Sequence, residues 1–214
     1  DLRMSRGLGD VYKRQILFKT ILSKLYHWKI YVVGSVEYQY PNHLFQAGYF
    51  LDKKYYDENT IDFKHLLLSE KNQSLLKDIQ NSNSVGVHIR RGDYMTKQNL
   101  VIFGNICTQK YYHDAIRIIT EKVNDAVFYV FSDDISWVQT HLDIPNAVYV
   151  NWNTGESSIY DMYLMSSCKY NIIANSTFSY WAARLNKKTN MVIYPSKWYN
   201  TFTPDIFPES WCGI

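Results

Sequence analysis

Five short apolar runs, 84–89, 126–131, 147–150, 170–174 and 190–194, recur along the chain with helix-like stretches between them. They are rich in Val, Ile, Phe and Tyr and continuous rather than alternating, the pattern of strands buried on both faces. A sixth run, 30–33, is ended by Gly34, as the fifth is stopped by Pro195. Strand and helix alternate at intervals of roughly 20–30 residues, which argues for a parallel sheet wound with helices. The expected class is therefore α/β, a Rossmann-like parallel sheet with helices on both faces.

The connecting segments carry helical spacing. Phe63, Leu66 and Leu67, then Leu75, Leu76 and Ile79, predict two short helices within 63–80, and the polar stretch 81–84 reads as a loop. Thr108 is placed to cap a helix through Tyr112, Ala115, Ile116 and Ile119, following a polar loop. Further helices are expected over 135–142, over 157–168 with Ser157 or Ser158 as cap, and over 178–185. The segment 46–56 is aromatic-rich and fits no element well.

Composition narrows the function classes. With 46% hydrophobic and 20% charged residues the chain can pack a sizeable core. A formal charge of +3 gives no argument for nucleic acid but is compatible with a local cationic pocket for a phosphorylated ligand. Cys107, Cys168 and Cys212 are widely spaced, with no metal-ligand or disulfide pattern, so a reducing cytoplasm is expected. No apolar run reaches the roughly 18–20 residues of a membrane span, and no secretory signal is read; peripheral membrane association is left open. The hexapeptide Asp10-Val11-Tyr12-Lys13-Arg14-Gln15 is what one frame of a transposon end used in sequencing libraries encodes. Residues 1–15 are accordingly expected to be non-native and are set aside from the fold.

Polar clusters follow the strand ends, where open α/β sheets bind ligands. After the first buried strand comes His88-Ile89-Arg90-Arg91-Gly92-Asp93. Two adjacent arginines there can give bidentate, charge-assisted bonds to a diphosphate that gains charge as it leaves. Asp93 can orient one guanidinium, and His88 can bond a phosphate or brace the loop. A surface salt-bridge cluster would use the same residue types. Asp133 and Asp134 follow the second strand, suited to a guanine edge or a ribose hydroxyl, with helix capping by Asp134 the plainer reading. A metal site would need more oxygen ligands than converge here, and Asp-x-Asp does not occur. Asn175, Ser176, Thr177 and Ser179 open a helix after an apolar strand, a place for an anion.

Taken together, Val87-His88-Ile89-Arg90-Arg91-Gly92-Asp93-Tyr94, Phe131-Ser132-Asp133-Asp134, the stretch from Met165 through Trp181 and Pro195-x-x-Trp198 resemble the bacterial α-1,2-fucosyltransferases, in order and in rough spacing. The match runs over nearly all of 48–211. The resemblance implies a two-Rossmann-domain, B-type glycosyltransferase fold that is incomplete at the N-terminus. Residues 16–84 would be the remainder of an acceptor-side domain and 85–214 the GDP-fucose-binding domain. It implies an inverting, metal-independent enzyme without a cofactor, moving L-fucose from GDP-β-L-fucose to the 2-hydroxyl of a terminal galactose on a glycan acceptor. Arg90 matches the family's diphosphate ligand with Arg91 and Asp93 in support, and His88 matches the motif's first position. Asp133 and Asp134 match nucleoside contacts, and Asn175, Ser176, Thr177 and Ser179 the phosphate side. For the general base, Asp93, Glu156, Asp161 and His88 stay open. The family suggests a cytoplasmic location at the inner face of a bacterial membrane and a part in surface-glycan assembly.

Two departures bear on this. The family's N-terminal Gly-Gly-Leu-Gly-Asn-Gln segment has no intact copy, and Gly7-Leu8-Gly9-Asp10 imitates it only superficially. The motif core is also shared with α-1,6 enzymes, so another linkage, or a GDP-fucose-binding module without turnover, is the alternative.

Overall fold

The structure is a computed structural model that describes residues 62–214 and the backbone of 31–33 and 45–47. Contacts divide it into two compact units, Asp1–Tyr56 with Pro204–Ile206, and Asp57–Thr203 with Phe207–Ile214. In the first unit, β1 (Tyr31–Val33) and β2 (Phe45–Ala47) pair in parallel. The expected strand at 30–33 is present there. The segment read as foreign and most of 46–56 lie outside the described residues.

The second unit is a six-stranded parallel sheet. Its strands are β3 (Asn83–Ile89), β4 (Ala126–Ser132), β5 (Ala147–Val150), β6 (Tyr170–Ile172), β7 (Met191–Tyr194) and β8 (Cys212–Gly213), in the order β5-β4-β3-β6-β7-β8. From β3 the chain steps outward to β4 and β5, then crosses back to start again at β6 on the other side. The seam between β3 and β6 is thus the topological switch point, the crevice where doubly wound sheets take their ligands.

Among the described residues six helices accompany it: α1 (Glu70–Asn81), α2 (Lys97–Phe103), α3 (Gln109–Lys122), α4 (Ile135–His141), α5 (Ser158–Ser166) and α6 (Thr177–Arg184). Alternation along the strands sorts the core into two layers. Val85, Val87, Ile89, Phe128 and Val130 pack with Tyr112, Ala115 and Ile119 of α3 and Val138 of α4. Tyr129, Phe131, Val150 and Ile173 pack with Leu75 and Ile79 of α1, Leu164 and Met165 of α5, and Ala182 and Ala183 of α6. Both faces are covered, as the continuous apolar runs require.

Several boundaries differ from the sequence reading. Only one helix forms within 63–80: Ser69 caps it, its hydroxyl accepting from the Asn72 N–H at 3.3 Å, and Leu67 before it is 87% exposed. The loop expected at 81–84 shrinks to Ser82, because α1 runs to Asn81 and β3 starts at Asn83. The polar loop before Thr108 contains a 3-10 turn (Gly92–Met95) and α2, whose Thr96 hydroxyl accepts from the Asn99 N–H at 3.3 Å. Strand β6 stops at Ile172, since Ala174 is drawn aside by the Ser179 hydroxyl, and β8 was not foreseen. Leu75 and Ile79 of α1 pack in the same layer as Tyr129 and Phe131 of β4. Thr108 caps α3 as expected, accepting from the Tyr111 N–H at 3.3 Å.

Candidate functional site

Strand register brings the first two motifs together. Ile89 pairs with Ser132 at the last rung between β3 and β4, so Arg90-Arg91 and Asp133-Asp134 leave the sheet side by side. Arg90 Nη1 donates to Asp133 Oδ2 at 2.6 Å and Nη2 to Asp93 Oδ1 at 2.5 Å. The other oxygen of Asp133 accepts the Arg91 backbone N–H at 2.9 Å. These side chains are partly exposed, so each pair contributes only about 0–1 kcal/mol to folding. Their effect is to fix the Arg90 fork, leaving its remaining N–H groups for a ligand.

Arg91 is turned elsewhere. Its guanidinium lies 3.7 Å from the centroid of Trp137 in α4, and Nε donates to Asp134 Oδ2 at 3.2 Å. Asp134 divides its carboxylate, giving Oδ1 to the Trp137 N–H at 3.1 Å as the cap of α4. The capping reading of Asp134 therefore holds, and both of its oxygens are engaged. No group of three or more His, Cys, Asp or Glu side chains converges on a metal position among the described residues.

The third motif meets the first across the switch point. Val87 of β3 pairs with Ile172 of β6. The Tyr94 hydroxyl donates to the Asn175 carbonyl at 3.0 Å, and the His88 ring lies 5.0 Å from Phe178 in the first turn of α6. Tyr111 and Tyr112 of α3 pin the strand ends from the opposite face, donating to the carbonyls of Ile173 at 2.6 Å and His88 at 3.1 Å.

Ser176 occupies the cap position of α6 without a side-chain bond to the helix. The first backbone N–H groups of α6, from Thr177 on, carry the positive end of its dipole. Ser179 is fully buried and directed inward: its hydroxyl accepts from the Ala174 N–H at 3.2 Å and lies 3.3 Å from the Ser176 carbonyl. Asn175 is 2% exposed and its side chain is spent on structure. Its amide donates to the Trp198 carbonyl at 3.1 Å, and its Oδ1 accepts from the Cys107 thiol at 3.4 Å. Burial pushes that thiol up to about 12, so it stays protonated.

His88 is buried, and its Nδ1 has no hydrogen-bond partner. Burial, and then the charge of Arg90, push its pKa down to about 3, so the imidazole is neutral at ordinary pH. A buried polar atom left unbonded costs stability.

Sequence reasoning missed several participants. Gly92 is required because a Cβ there would run into the Asp133 carboxylate. Trp137 stands three residues after a capping Asp, a spacing that places it in the first helical turn. Asn72, Trp152 and Asn153 form a polar knot: the Trp152 indole donates to Asn72 Oδ1 at 2.7 Å, and Asn153 donates to Asp161 Oδ1 at 2.6 Å. Burial raises the Asp161 carboxyl to about 7. Glu156 lies in a separate 3-10 turn, Gly155–Ser157. Beside the arginines is a cavity of about 240 Å³, with Arg90, Arg91, Tyr94, Phe103, Trp137 and Asn175 among its lining residues.

Comparison with known proteins gives this geometry its setting. Residues 11–214 match the family described as Glycosyl transferase family 11. The chain is 34% identical over 226 residues to an Escherichia coli alpha-1,2-colitosyltransferase, covering 98% of this chain and 73% of that protein. It is 44% identical over 122 residues to the Escherichia coli O-antigen biosynthesis glycosyltransferase WbnK, covering 56% of this chain and 40% of that one. To the galactoside alpha-(1,2)-fucosyltransferase 2 of Pongo pygmaeus it is 28% identical over 163 residues, covering 70% and 48%. It thus spans most of the first relative and less than half of the other two. Among solved structures, fucosyltransferase NodZ from Bradyrhizobium aligns with a TM-score of 0.38 at 19% identity, over 54% of this chain and 40% of NodZ. The chain belongs to glycosyl transferase family 11, the α-1,2-fucosyltransferase family.

Proposed function

We propose that this chain transfers L-fucose from GDP-β-L-fucose to the 2-hydroxyl of a terminal galactose, with inversion and without a metal. The observation that carries the reading is the Arg90 fork, fixed by Asp93 and Asp133, at a switch point where α6 begins without a side-chain cap. A diphosphate brings negative charge to that seam, and Arg90 and the first N–H groups of α6 are the donors available to it.

The acceptor oxygen attacks the anomeric carbon, and the carbon–oxygen bond to the β-phosphate breaks. The electron pair of that bond leaves with GDP, where fixed donors stabilise it. Family membership supplies the coarser frame, a fucosyltransferase with a nucleotide-sugar donor and a glycan acceptor. For the acceptor proton we favour Asp93, whose side chain is 58% exposed and whose Oδ2 bonds no described residue. His88 is disfavoured because it is buried, whereas the Asp93 side chain is open to solvent. The setting that goes with this reading is the inner face of a bacterial membrane, although no helix among the described residues is long and apolar enough to cross one.

Colitose, a 6-deoxy sugar like fucose, is the second donor reading, favoured by the 34% identity that extends over 98% of the chain. Transfer assays on a β-galactoside, run in parallel with each donor and with and without EDTA, test the proposal. EDTA-resistant product with an α-linkage to the 2-hydroxyl is the expected result. Product at another hydroxyl, or activity abolished by EDTA and restored by a divalent metal, would contradict it.

A further inference from the structure

The cavity beside Arg90 and Arg91 measures about 240 Å³. It falls below the roughly 300–1,000 Å³ of pockets that enclose a whole ligand, so it suits one part of a nucleotide sugar. Aromatic rings line it, and each packs against protein groups. Trp137 carries the Arg91 guanidinium at 3.7 Å and the His141 ring stacked at 4.6 Å, and Tyr94 is stacked on Phe103 at 4.4 Å. These contacts take up part of the ring surface that a nucleobase or an acceptor sugar would stack on. Met95, Leu100 and Phe103 supply apolar lining, and Asn105 and Gln109 supply polar lining.

We propose that this cavity holds the deoxysugar ring of the donor, and that Met95 and Leu100 select a C6 methyl over a hydroxymethyl. The inference rests on the donor reading above. The sugar is one bond from the β-phosphate, so its subsite has to adjoin the arginines, as this cavity does. Met95 and Leu100 come from the 3-10 turn and α2 immediately after the arginine motif. One segment thus carries both phosphate charge recognition and methyl recognition. A hydroxyl placed against these aliphatic groups would find no hydrogen-bond partner on them. The ring hydroxyls retain Asn105 and Gln109.

Calorimetric binding of GDP, GDP-L-fucose and GDP-L-galactose tests this without requiring turnover, because the last two differ only in the 6-hydroxyl. The fucose donor is expected to bind about 10–200-fold tighter than its hydroxylated counterpart. Leu100→Asn and Met95→Gln should shrink that ratio to about threefold or less while GDP affinity holds. Met95 is 46% exposed, so its variant carries the test should Leu100→Asn fail to fold. A ratio unchanged in Met95→Gln and in any folded Leu100→Asn protein, or no discrimination by the unmodified chain, would overturn the cavity assignment and leave the donor reading standing. Failure of the unmodified chain to bind any of the three would overturn both.

Discussion

Asp133 holds both arginines of the motif at once, with Oδ2 2.6 Å from Arg90 Nη1 and Oδ1 2.9 Å from the Arg91 backbone nitrogen. The contact spans neighbouring strands and is set by the Ile89–Ser132 register. Asp133→Asn keeps an acceptor for the backbone N–H but removes the charge that aligns Arg90. GDP affinity should fall about tenfold, or about 1.4 kcal/mol, with folding stability changed by about 0.5 kcal/mol or less. Calorimetry and thermal melts on the same samples separate the two effects. A stability loss without a change in affinity would assign Asp133 to folding alone.

Gly92 makes the same point sterically. A Cβ there collides with the Asp133 carboxylate and has Arg90 Cζ within 3.9 Å. Gly92→Ala should therefore reproduce the affinity loss of Asp133→Asn, and the double variant should lose little more, because both act on one ion pair. Additive losses, read from a double-mutant cycle on GDP binding, would show that Gly92 acts by another route.

His88 gives an acid-side signature. Its folded pKa of about 3 lies below the ordinary value near 6.5, so stability is fully present above 6.5 and is lost as pH falls toward 3. Between pH 7.5 and 5 the loss is about 1–2 kcal/mol. Urea melts at the two values should show it in the unmodified chain and not in His88→Asn. An equal loss in both proteins would place the titration elsewhere.

Asp161 has the opposite sign. Burial raises its folded pKa to about 7, so the stability it contributes is present below its unfolded value near 3.9 and is lost as pH rises through 7. Asn in its place retains an acceptor for Asn153. Asp161→Asn should stabilise the fold at pH 8 by about 1–2 kcal/mol after allowance for solvent screening, and leave it unchanged at pH 4. Chemical denaturation at the two pH values reads this directly, and no gain at pH 8 would contradict it.

The sheet was legible because buried parallel strands write themselves as continuous apolar runs: 147–150 is β5 to the residue. Strand-end placement of the motifs was legible for the same reason. Side-chain commitments were not. Asn175 and Ser179 read as ligand-facing polar residues, yet their side chains are spent on Trp198, Cys107 and Ala174, partners that tertiary packing alone supplies. Arg90 and Arg91 are adjacent in sequence, but one is held between carboxylates and the other over an indole, a division set by α4 and not by local spacing. Helix α2 was hidden because its exposed Val101 and Ile102 break the amphipathic pattern that marks a helix.

The most direct test is the difference in affinity between GDP and GMP, measured calorimetrically for the unmodified chain and for Arg90→Ala. GDP should bind the unmodified chain at least about tenfold tighter than GMP, and Arg90→Ala should abolish this β-phosphate increment while leaving GMP affinity nearly intact. An increment that survives in Arg90→Ala would contradict the placement of the leaving diphosphate at the β3–β6 seam.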